Sequence, residues 1–243
     1  MAGHSKWNNI KRRKGAVDAE RAKLFTKLGR EIQVAVKSGG PDPETNNQLK
    51  DVIAKAKSNN MPNDNIQRSI KKASGAGNTD HFDAIDYEGY GPSGVALIVR
   101  ALTDNRNRTA GDVRHGFDKF GGNMGQQGSV SFMFEDKGVI VLEKELIEDE
   151  EQFMMDLLES GADDYEDEDE FITVYTQPAD FRGVRENLEA HGYEFAQAEV
   201  QPVPNNWVTV EDEDTRGSLQ KMIDYFDDND DVQAVYHNWE NED

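Results

Sequence analysis

Residues 95–120, VALIVRALTDNRNRTAGDVRHGFDKF, change their apolar periodicity part-way and so indicate a mixed fold. The stretch from Val95 to Leu102 is an apolar run of strand length, and Gly121 and Gly122 end the segment that follows it. Within that segment apolar residues recur with the spacing of one helix face, at Ala110, Val113, Phe117 and Phe120. The stretch therefore predicts a strand followed by an amphipathic helix.

The chain downstream repeats this alternation. Between residues 135 and 206 the predicted order is strand, helix, strand, strand, helix, strand, which is typical of the ferredoxin-like arrangement. Residues 92–134 and the tail from 207 to 243 each supply a half of a second such unit. The predicted strands are Ser129–Phe134, 138–142, 163–165, 171–175, 193–200, Trp207–Val210 and 232–236, with helices around Phe153, Phe181 and Leu219.

The chain upstream predicts three short amphipathic helices that form a small bundle. Asp42 and Pro43 have the character of an N-cap and first helical residue for the second helix, and Pro62 opens the third. Residues 74–78, SGAGN, are typical of a linker. The apolar stripes of the three helices are Leu24, Leu28, Ile32 and Val36; Leu49, Val52, Ile53 and Ala56; and Ile66, Ile70 and Ala73.

The predicted fold class is therefore α+β, with an N-terminal three-helix bundle followed by two ferredoxin-like α/β modules, one inserted in the other. The predicted domains are a basic helical domain at 1–77, an α/β domain formed by 78–134 plus 207–243, and an inserted acidic α/β domain at 135–206.

The formal charge is strongly segregated along the chain. The net charge is -21, yet residues 1–77 hold 16 basic and 7 acidic residues, a balance of +9. The rest of the chain holds 11 basic and 41 acidic residues, a balance of -30. Such segregation indicates the kind of partner and not the fold. The basic N-terminal part can bind a polyanion, while the acidic remainder limits non-specific contacts. The alternative is a basic surface that is merely solvated.

The composition excludes several classes of protein. The chain has no cysteine, so disulfides, thiolate metal sites and thiol nucleophiles are excluded. No apolar stretch approaches the roughly 20 residues that a membrane span needs, and no apolar run follows the first charges. We expect a cytoplasmic protein with no membrane partner, occurring as a monomer or weak homo-oligomer.

The strongest local signal is a cluster of cations near the start of the chain. Neighbouring cations repel one another unless a polyanion or solvent screens them, so a nucleic-acid contact is the economical reason for the cluster. Trp7 either stacks on an unpaired base, which favours RNA, or anchors the segment to the helical bundle. The candidate residues here are Lys6, Trp7, Lys11, Arg12, Arg13, Lys14, Arg21 and Lys23.

A second candidate surface lies on the predicted helix after the linker. Arg108, His115 and Lys119 fall at i, i+7 and i+11 and so share one face, opposite the apolar stripe. They would form a basic ridge on an acidic body. The equally good alternative is an ordinary solvated helix face that includes Asp112.

Two glycine-rich segments and the acidic runs are weaker signals. Residues 89–94, GYGPSG, fit G-x-G-x-x-G, but they precede a strand, whereas a dinucleotide site needs them to open a helix. The amides of residues 121–128, GGNMGQQG, could approach phosphate, or the segment is a flexible connection. The acidic runs at 148–151 and 163–170 lack the spacing of a calcium loop. We predict no catalytic residue, no metal, no cofactor and no small-molecule substrate.

Several motifs in order resemble the YebC/PmpR family over nearly the whole chain. They are MAGHSKW at 1–7 with IKRRK at 10–14, YEGYGPSGVA at 87–96, TDNRNRT at 103–109, and GGNMG at 121–125 with GSVSFMF at 128–134. The resemblance implies a helical domain followed by two α/β domains. It also implies a probable cytoplasmic transcriptional regulator that binds DNA. Mitochondrial relatives resemble translational activators, and some bacterial relatives help ribosomes through difficult sequences.

The sequence therefore predicts a non-enzymatic regulator of gene expression that binds DNA through its basic N-terminal domain. The alternative within the binding class is a ribosome-associated translation factor or translational activator that binds RNA and relieves stalling. The remote alternative is a nucleotide-dependent enzyme that uses the Gly89–Gly94 loop.

Overall fold

A computed structural model describes residues 18–75 and 81–241. It confirms the predicted fold class: helices come first, and two antiparallel four-stranded sheets follow, one inserted in the chain of the other. The helices are α1 (Asp18–Gly39), α2 (Asn47–Ser58), α3 (Asn63–Ser74), α4 (Arg106–Lys119), α5 (Glu150–Ser160), α6 (Phe181–Ala190) and α7 (Glu213–Asp227). The strands are β1 (Asp83–Tyr90), β2 (Ala96–Thr103), β3 (Asn123–Met124), β4 (Phe134–Glu143), β5 (Asp164–Asp167), β6 (Phe171–Thr176), β7 (Gln197–Pro204) and β8 (Val232–His237).

The three N-terminal helices pack around the predicted apolar stripes. Leu28, Ile32, Leu49 and Ile66 are at most 2% exposed and form the centre of this core. Leu24, at the edge of the first stripe, is only partly buried. The predicted linker lies largely outside the described residues, which stop at Gly75 and resume at His81.

The junction between α1 and α2 corrects one prediction. The N-cap of α2 is Asn46, and Asp42 and Pro43 instead lie in the turn before it. The buried Asn46 side chain accepts a hydrogen bond from the Leu49 amide at 3.0 Å and donates to the carbonyls of Ala35 at 2.7 Å and Gly40 at 2.8 Å. One amide side chain thus satisfies backbone groups at the end of α1 and the start of α2.

The first sheet has the strand order β3-β1-β2-β8, and α4 and α7 pack on one of its faces. The prediction missed β1, which pairs with β2 along its whole length as a hairpin. Two predicted strands are wrong. Residues 129–133 form a turn and a 3-10 turn, and the strand begins only at Phe134. Trp207–Val210 contributes a single bridge, from Val208 to Trp239.

The second sheet, inserted between β3 and α7, has the order β5-β6-β4-β7. Taken in chain order, its elements run strand, helix, strand, strand, helix, strand, as expected for a ferredoxin-like module. Helices α5 and α6 bury Phe153, Leu157, Val184 and Leu188 against β4 and β6. The strand predicted at 193–200 begins later, at Gln197.

The described residues form two compact units. One includes the residues up to Phe134 together with those from Pro204, and the other is Glu135–Val203. The further division of the first unit into a helical and an α/β domain stays a prediction. None of the helices in the described ranges has the length and apolar character to cross a membrane.

Candidate nucleic-acid interface

The basic cluster at the start of the chain lies outside the described residues. This applies to Lys6, Trp7 and the run from Lys11 to Lys14. The structure does place Arg21 and Lys23 on α1, and Arg108, His115 and Lys119 on α4. Arg21 is exposed.

Three cations of α1 after Arg21 face the protein's own α/β body. Lys23, Lys27 and Arg30 follow the i, i+4, i+7 spacing of one helix face. The Lys23 ammonium lies 2.9 Å from Asp228 Oδ1, and Lys27 donates to the Asp227 carbonyl at 2.7 Å. Both acceptors stand at the C-terminal end of α7, where unpaired carbonyls attract positive charge. Lys23 therefore attaches the helical domain to the end of α7, and its hydrogen bond to Asp228 raises its pKa.

Asp231, just before β8, lies at the centre of this contact. Its side chain is only 5% exposed, and its carboxylate binds Arg30 at 2.8 Å and Arg108 at 2.6 Å. The Thr109 hydroxyl also donates to it at 2.7 Å. Burial alone would raise the pKa of Asp231, but the hydrogen bonds from Arg108, Thr109 and Arg30 outweigh it and hold the pKa below its ordinary value. One carboxylate thus joins α1, α4 and the chain before β8.

The three residues of the predicted ridge on α4 fall into two separate contacts. Arg108 bridges Asp231 and, at 2.7 Å, Asp104. Lys119 and His115 instead contact the ring of Tyr225 on α7. Eleven residues separate Arg108 from Lys119, a rise of about 16 Å along the helix. The structure therefore gives Arg108 a bridging role within the protein, while His115 and Lys119 stay together on the surface.

We call the residues around Tyr225 the α4–α7 aromatic cluster: His115, Lys119, Phe120 and Tyr225. The Lys119 ammonium lies 5.1 Å from the centre of the Phe120 ring and 5.2 Å from that of Tyr225. The Tyr225 ring centre is 5.8 Å from Phe120 and 6.2 Å from His115, both edge-on. His115 and Lys119 are exposed, whereas the other two side chains are half-buried. The sequence analysis missed Tyr225, because only the packing of α7 on α4 brings it there.

The last amide of the glycine-rich segment 121–128 and two amides that follow it are bound to a carboxylate of the protein itself. Buried Glu88 on β1 accepts hydrogen bonds from the amides of Gly128 and Val130 at 2.8 Å and of Ser131 at 2.9 Å. Burial would raise the pKa of Glu88, but these three bonds together lower it. These amides are therefore occupied, and Glu88 takes the place that a bound anion would have.

The Gly89–Gly94 loop is the end of β1 and the turn of the β1–β2 hairpin. A methyl group added to Gly89 would lie 2.6 Å from the Asn123 carbonyl oxygen, and one on Gly91 would lie 2.8 Å from a methyl of Leu219. Gly94 adopts a positive φ of 75°. The glycines thus meet packing and turn requirements, and the loop lacks the helix N-terminus that a dinucleotide pyrophosphate needs.

Other cations of the helical domain do face solvent. On α3 the inward side is Ile66 and Ile70, and Arg68 and Lys71 are exposed on the other side. In the described ranges no group of three or more His, Asp or Glu side chains is placed to hold a metal ion.

Two family models together cover nearly the whole chain. The model described as TACO1/YebC protein N-terminal domain matches residues 5–76, and that described as TACO1/YebC second and third domain matches residues 82–239. The chain belongs to the TACO1/YebC family. The resemblance drawn from the sequence motifs is thereby confirmed.

Bacterial relatives of this TACO1/YebC chain match it from end to end. A protein of Acetivibrio thermocellus is 58% identical over 98% of this chain and 99% of its own length. One of Ruminiclostridium cellulolyticum is 58% identical over 99% of this chain and 97% of its own. Both are named "Probable transcriptional regulatory protein".

A solved structure shares the fold. The crystal structure of a conserved hypothetical protein from Aquifex aeolicus matches with a TM-score of 0.84 at 44% identity, and the match covers 93% of each chain. That protein is called hypothetical, so the match supports the fold of this chain and says nothing about its function.

Proposed function

We propose that this protein is a non-enzymatic transcriptional regulator that acts in the cytoplasm and binds DNA through its basic N-terminal domain. The observation that carries the proposal is the charge segregation, +9 over residues 1–77 against -30 over the rest. A phosphate backbone is bound mainly by Lys and Arg, and each neutralised phosphate releases counterions. The names of the bacterial relatives agree with the proposal.

The contacts of α1 narrow the choice of binding residues. Lys23, Lys27 and Arg30 hold the helical domain on the α/β body, so their charges are already compensated. We assign the phosphate contacts to Lys6 and the run from Lys11 to Lys14. Arg21, Arg68 and Lys71 are exposed and would add positive charge from the helices. The charge of Arg108 is likewise already paired, with Asp231 and Asp104.

The proposal predicts that the Arg12→Glu/Arg13→Glu variant loses affinity for duplex DNA. Its salt dependence should also flatten, because the slope of log K against log salt concentration falls by about 1 for each lost phosphate contact. Fluorescence anisotropy over a range of salt concentrations measures both. The matched control is Lys137→Glu/Lys144→Glu in the inserted module, which makes the same charge change; it breaks two ion pairs and the contact of Lys137 with the Tyr175 ring. If the two double variants bind alike, the basic N-terminal segment is not the site.

The alternative is a ribosome-associated translation factor that uses the same residues on RNA. Trp7 among the cations favours it, because aromatic planes stack on unpaired bases, and no motif that reads duplex DNA is evident. Sedimentation of a cell extract through a sucrose gradient separates the two functions. Co-migration with ribosomal particles would favour translation, and its absence would favour DNA.

A further inference from the structure

We propose that the α4–α7 aromatic cluster is a stacking site for an unpaired nucleobase. The inference rests on the proposed nucleic-acid-binding function and adds to it the form of the ligand: a single-stranded segment, of RNA or of DNA. It concerns a surface apart from the basic segment at the start of the chain.

The first argument is the chemistry of the exposed groups. The Tyr225 ring is bordered by an ammonium, an imidazole and a second aromatic ring, all with centres within 6.2 Å of its own. Among residues 18–75 and 81–241, no hydrogen bond or ion pair engages the Tyr225 hydroxyl, the His115 ring nitrogens or the Lys119 ammonium. These donors and acceptors remain available to a ligand that places a flat ring among them.

The second argument is that the cluster is held in place before any ligand binds. Gly116 lets α7 approach α4 closely: a methyl group there would lie 2.5 Å from Phe226 Cε1 and 2.8 Å from Tyr225 Cδ1. Beneath the cluster, the rings of Phe117 and Phe226 are buried with centres 5.1 Å apart. Tyr225 packs against this core, so its ring loses little freedom when a base stacks on it.

The third argument concerns charge. The exposed charges on α4 and α7 around the cluster balance: Arg114, Lys119 and Lys221 against Asp118, Asp224 and Asp228. The surface is therefore close to neutral and poorly suited to follow a phosphate backbone. Stacking on an aromatic plane needs no net charge and accepts any base, but it does need a base whose face is free. In a duplex both faces are covered by neighbouring base pairs, so we infer an unpaired base.

The fourth argument is the position of α1. Lys23 contacts Asp228, one helical turn beyond Tyr225. Helix α1 begins at Asp18, five residues or about 7.5 Å of helix rise before Lys23. The first turns of α1 therefore lie beside the C-terminal end of the helix that carries Tyr225.

The test compares Tyr225→Leu, which keeps apolar bulk, with Tyr225→Phe, which keeps the ring. Three labelled probes of one sequence are used with the full-length protein: single-stranded RNA, single-stranded DNA and duplex DNA. We expect Tyr225→Leu to bind single strands about tenfold more weakly than the unmodified protein and to bind the duplex unchanged. Tyr225→Phe should behave as the unmodified protein does. Phe132→Leu, which removes an exposed ring outside the cluster, is the control.

The outcomes separate the two proposals. If the unmodified protein binds none of the probes in dilute salt, the proposed function itself fails. If it binds them but Tyr225→Leu matches it, or loses all three equally, only the stacking site is overturned. Because Tyr225 touches the core, His115→Ala is a second probe with an exposed ring, expected to weaken single-strand binding alone. A larger loss on RNA than on DNA single strands would identify RNA as the source of the base.

Discussion

Buried Glu88 organises a region of the chain that is far from it in sequence. Glu88 lies on a strand whose preceding residues alternate between half-buried and exposed, and its carboxylate accepts hydrogen bonds from three amides of the chain from Gly128 to Ser131. Those bonds turn residues 129–133 away from the strand that their alternating apolar pattern predicts. A single side chain about 40 positions away thus overrides local propensity, which is a weak preference in strands.

Replacing Glu88 with Gln should destabilise this region by about 1–3 kcal/mol, because the amide's own N–H₂ would face a backbone N–H and leave it unsatisfied. Amide hydrogen exchange at Gly128, Val130 and Ser131, with urea unfolding, measures the effect. The pKa of Glu88 is lowered in the folded protein, so its contribution is present above the ordinary glutamate pKa and is lost as pH falls through the lowered value. The difference between the two proteins should therefore shrink in acid. Asp136→Asn, at an exposed site, is the control; equal effects from both changes would refute the assignment.

At the scale of elements, the packing of α4 against α7 depends on a glycine that a helix would otherwise disfavour. Gly111 and Gly116 both lie inside α4, where glycine costs about 1 kcal/mol relative to alanine. Gly111 has open space around its Cα, whereas a methyl group on Gly116 would enter the Phe226 and Tyr225 rings. Only Gly116 is thus required by the contact between helices.

The two substitutions to alanine should therefore act in opposite directions. We expect Gly111→Ala to raise the free energy of unfolding by about 0.5–1 kcal/mol, through helix propensity. Gly116→Ala should lower it by about 1–3 kcal/mol, because overpacking shifts the rings of α7. Thermal and urea unfolding of both variants decide the matter. A stabilised Gly116→Ala protein would mean that the rings yield at little cost and that the helices do not need the close approach.

At the scale of the whole molecule, part of the basic face of α1 is engaged within the protein. The cations at 23, 27 and 30 bind the chain from Asp227 to Asp231. Asp231 lies at the centre of this contact, since it bonds to Arg30 and Arg108 at once. Attachment of the helical domain and compensation of the buried carboxylate are therefore coupled.

Asp231→Asn should weaken the attachment of the helical domain. Removing the negative charge weakens the hydrogen bonds from Arg30 and Arg108 and should cost about 1–3 kcal/mol, because Arg108 keeps Asp104 and Arg30 keeps the Asp230 carbonyl. Native-state hydrogen exchange should be faster than in the unmodified protein, and the increase should be larger in α1, α2 and α3 than in β2. The pKa of Asp231 is lowered in the folded protein, so the attachment persists above the ordinary aspartate pKa and is lost as pH falls through the lowered value.

The matched control is Asp230→Asn. Arg30 bonds to the backbone carbonyl of Asp230 and not to its side chain, so this variant keeps the hydrogen bonds of the attachment. Uniform exchange across helices and strands in Asp231→Asn would show that the carboxylate stabilises the molecule generally and is not specific to the helical domain.

The sequence by itself determined the helices of the N-terminal domain, β2, α4 and the layout of the inserted module. Each of these elements buries a continuous apolar face, and the spacing of its apolar residues is visible in a short stretch of sequence. The charge segregation is likewise a property of composition. Strand β1 escaped prediction because DAIDYEGY contains acidic residues and a glycine that disfavour a strand, and its pairing with β2 supplies the missing stability.

Which cations are engaged within the protein became visible only in the folded chain. Lys23 and Arg108 look like any exposed cation in the sequence, but Asp228 and Asp231 reach them from more than 120 positions away. The same holds for Tyr225, which joins His115 and Lys119 through helix packing. Such contacts depend on distance in space, and electrostatic and stacking energies fall off over a few ångströms. No local pattern can therefore encode them.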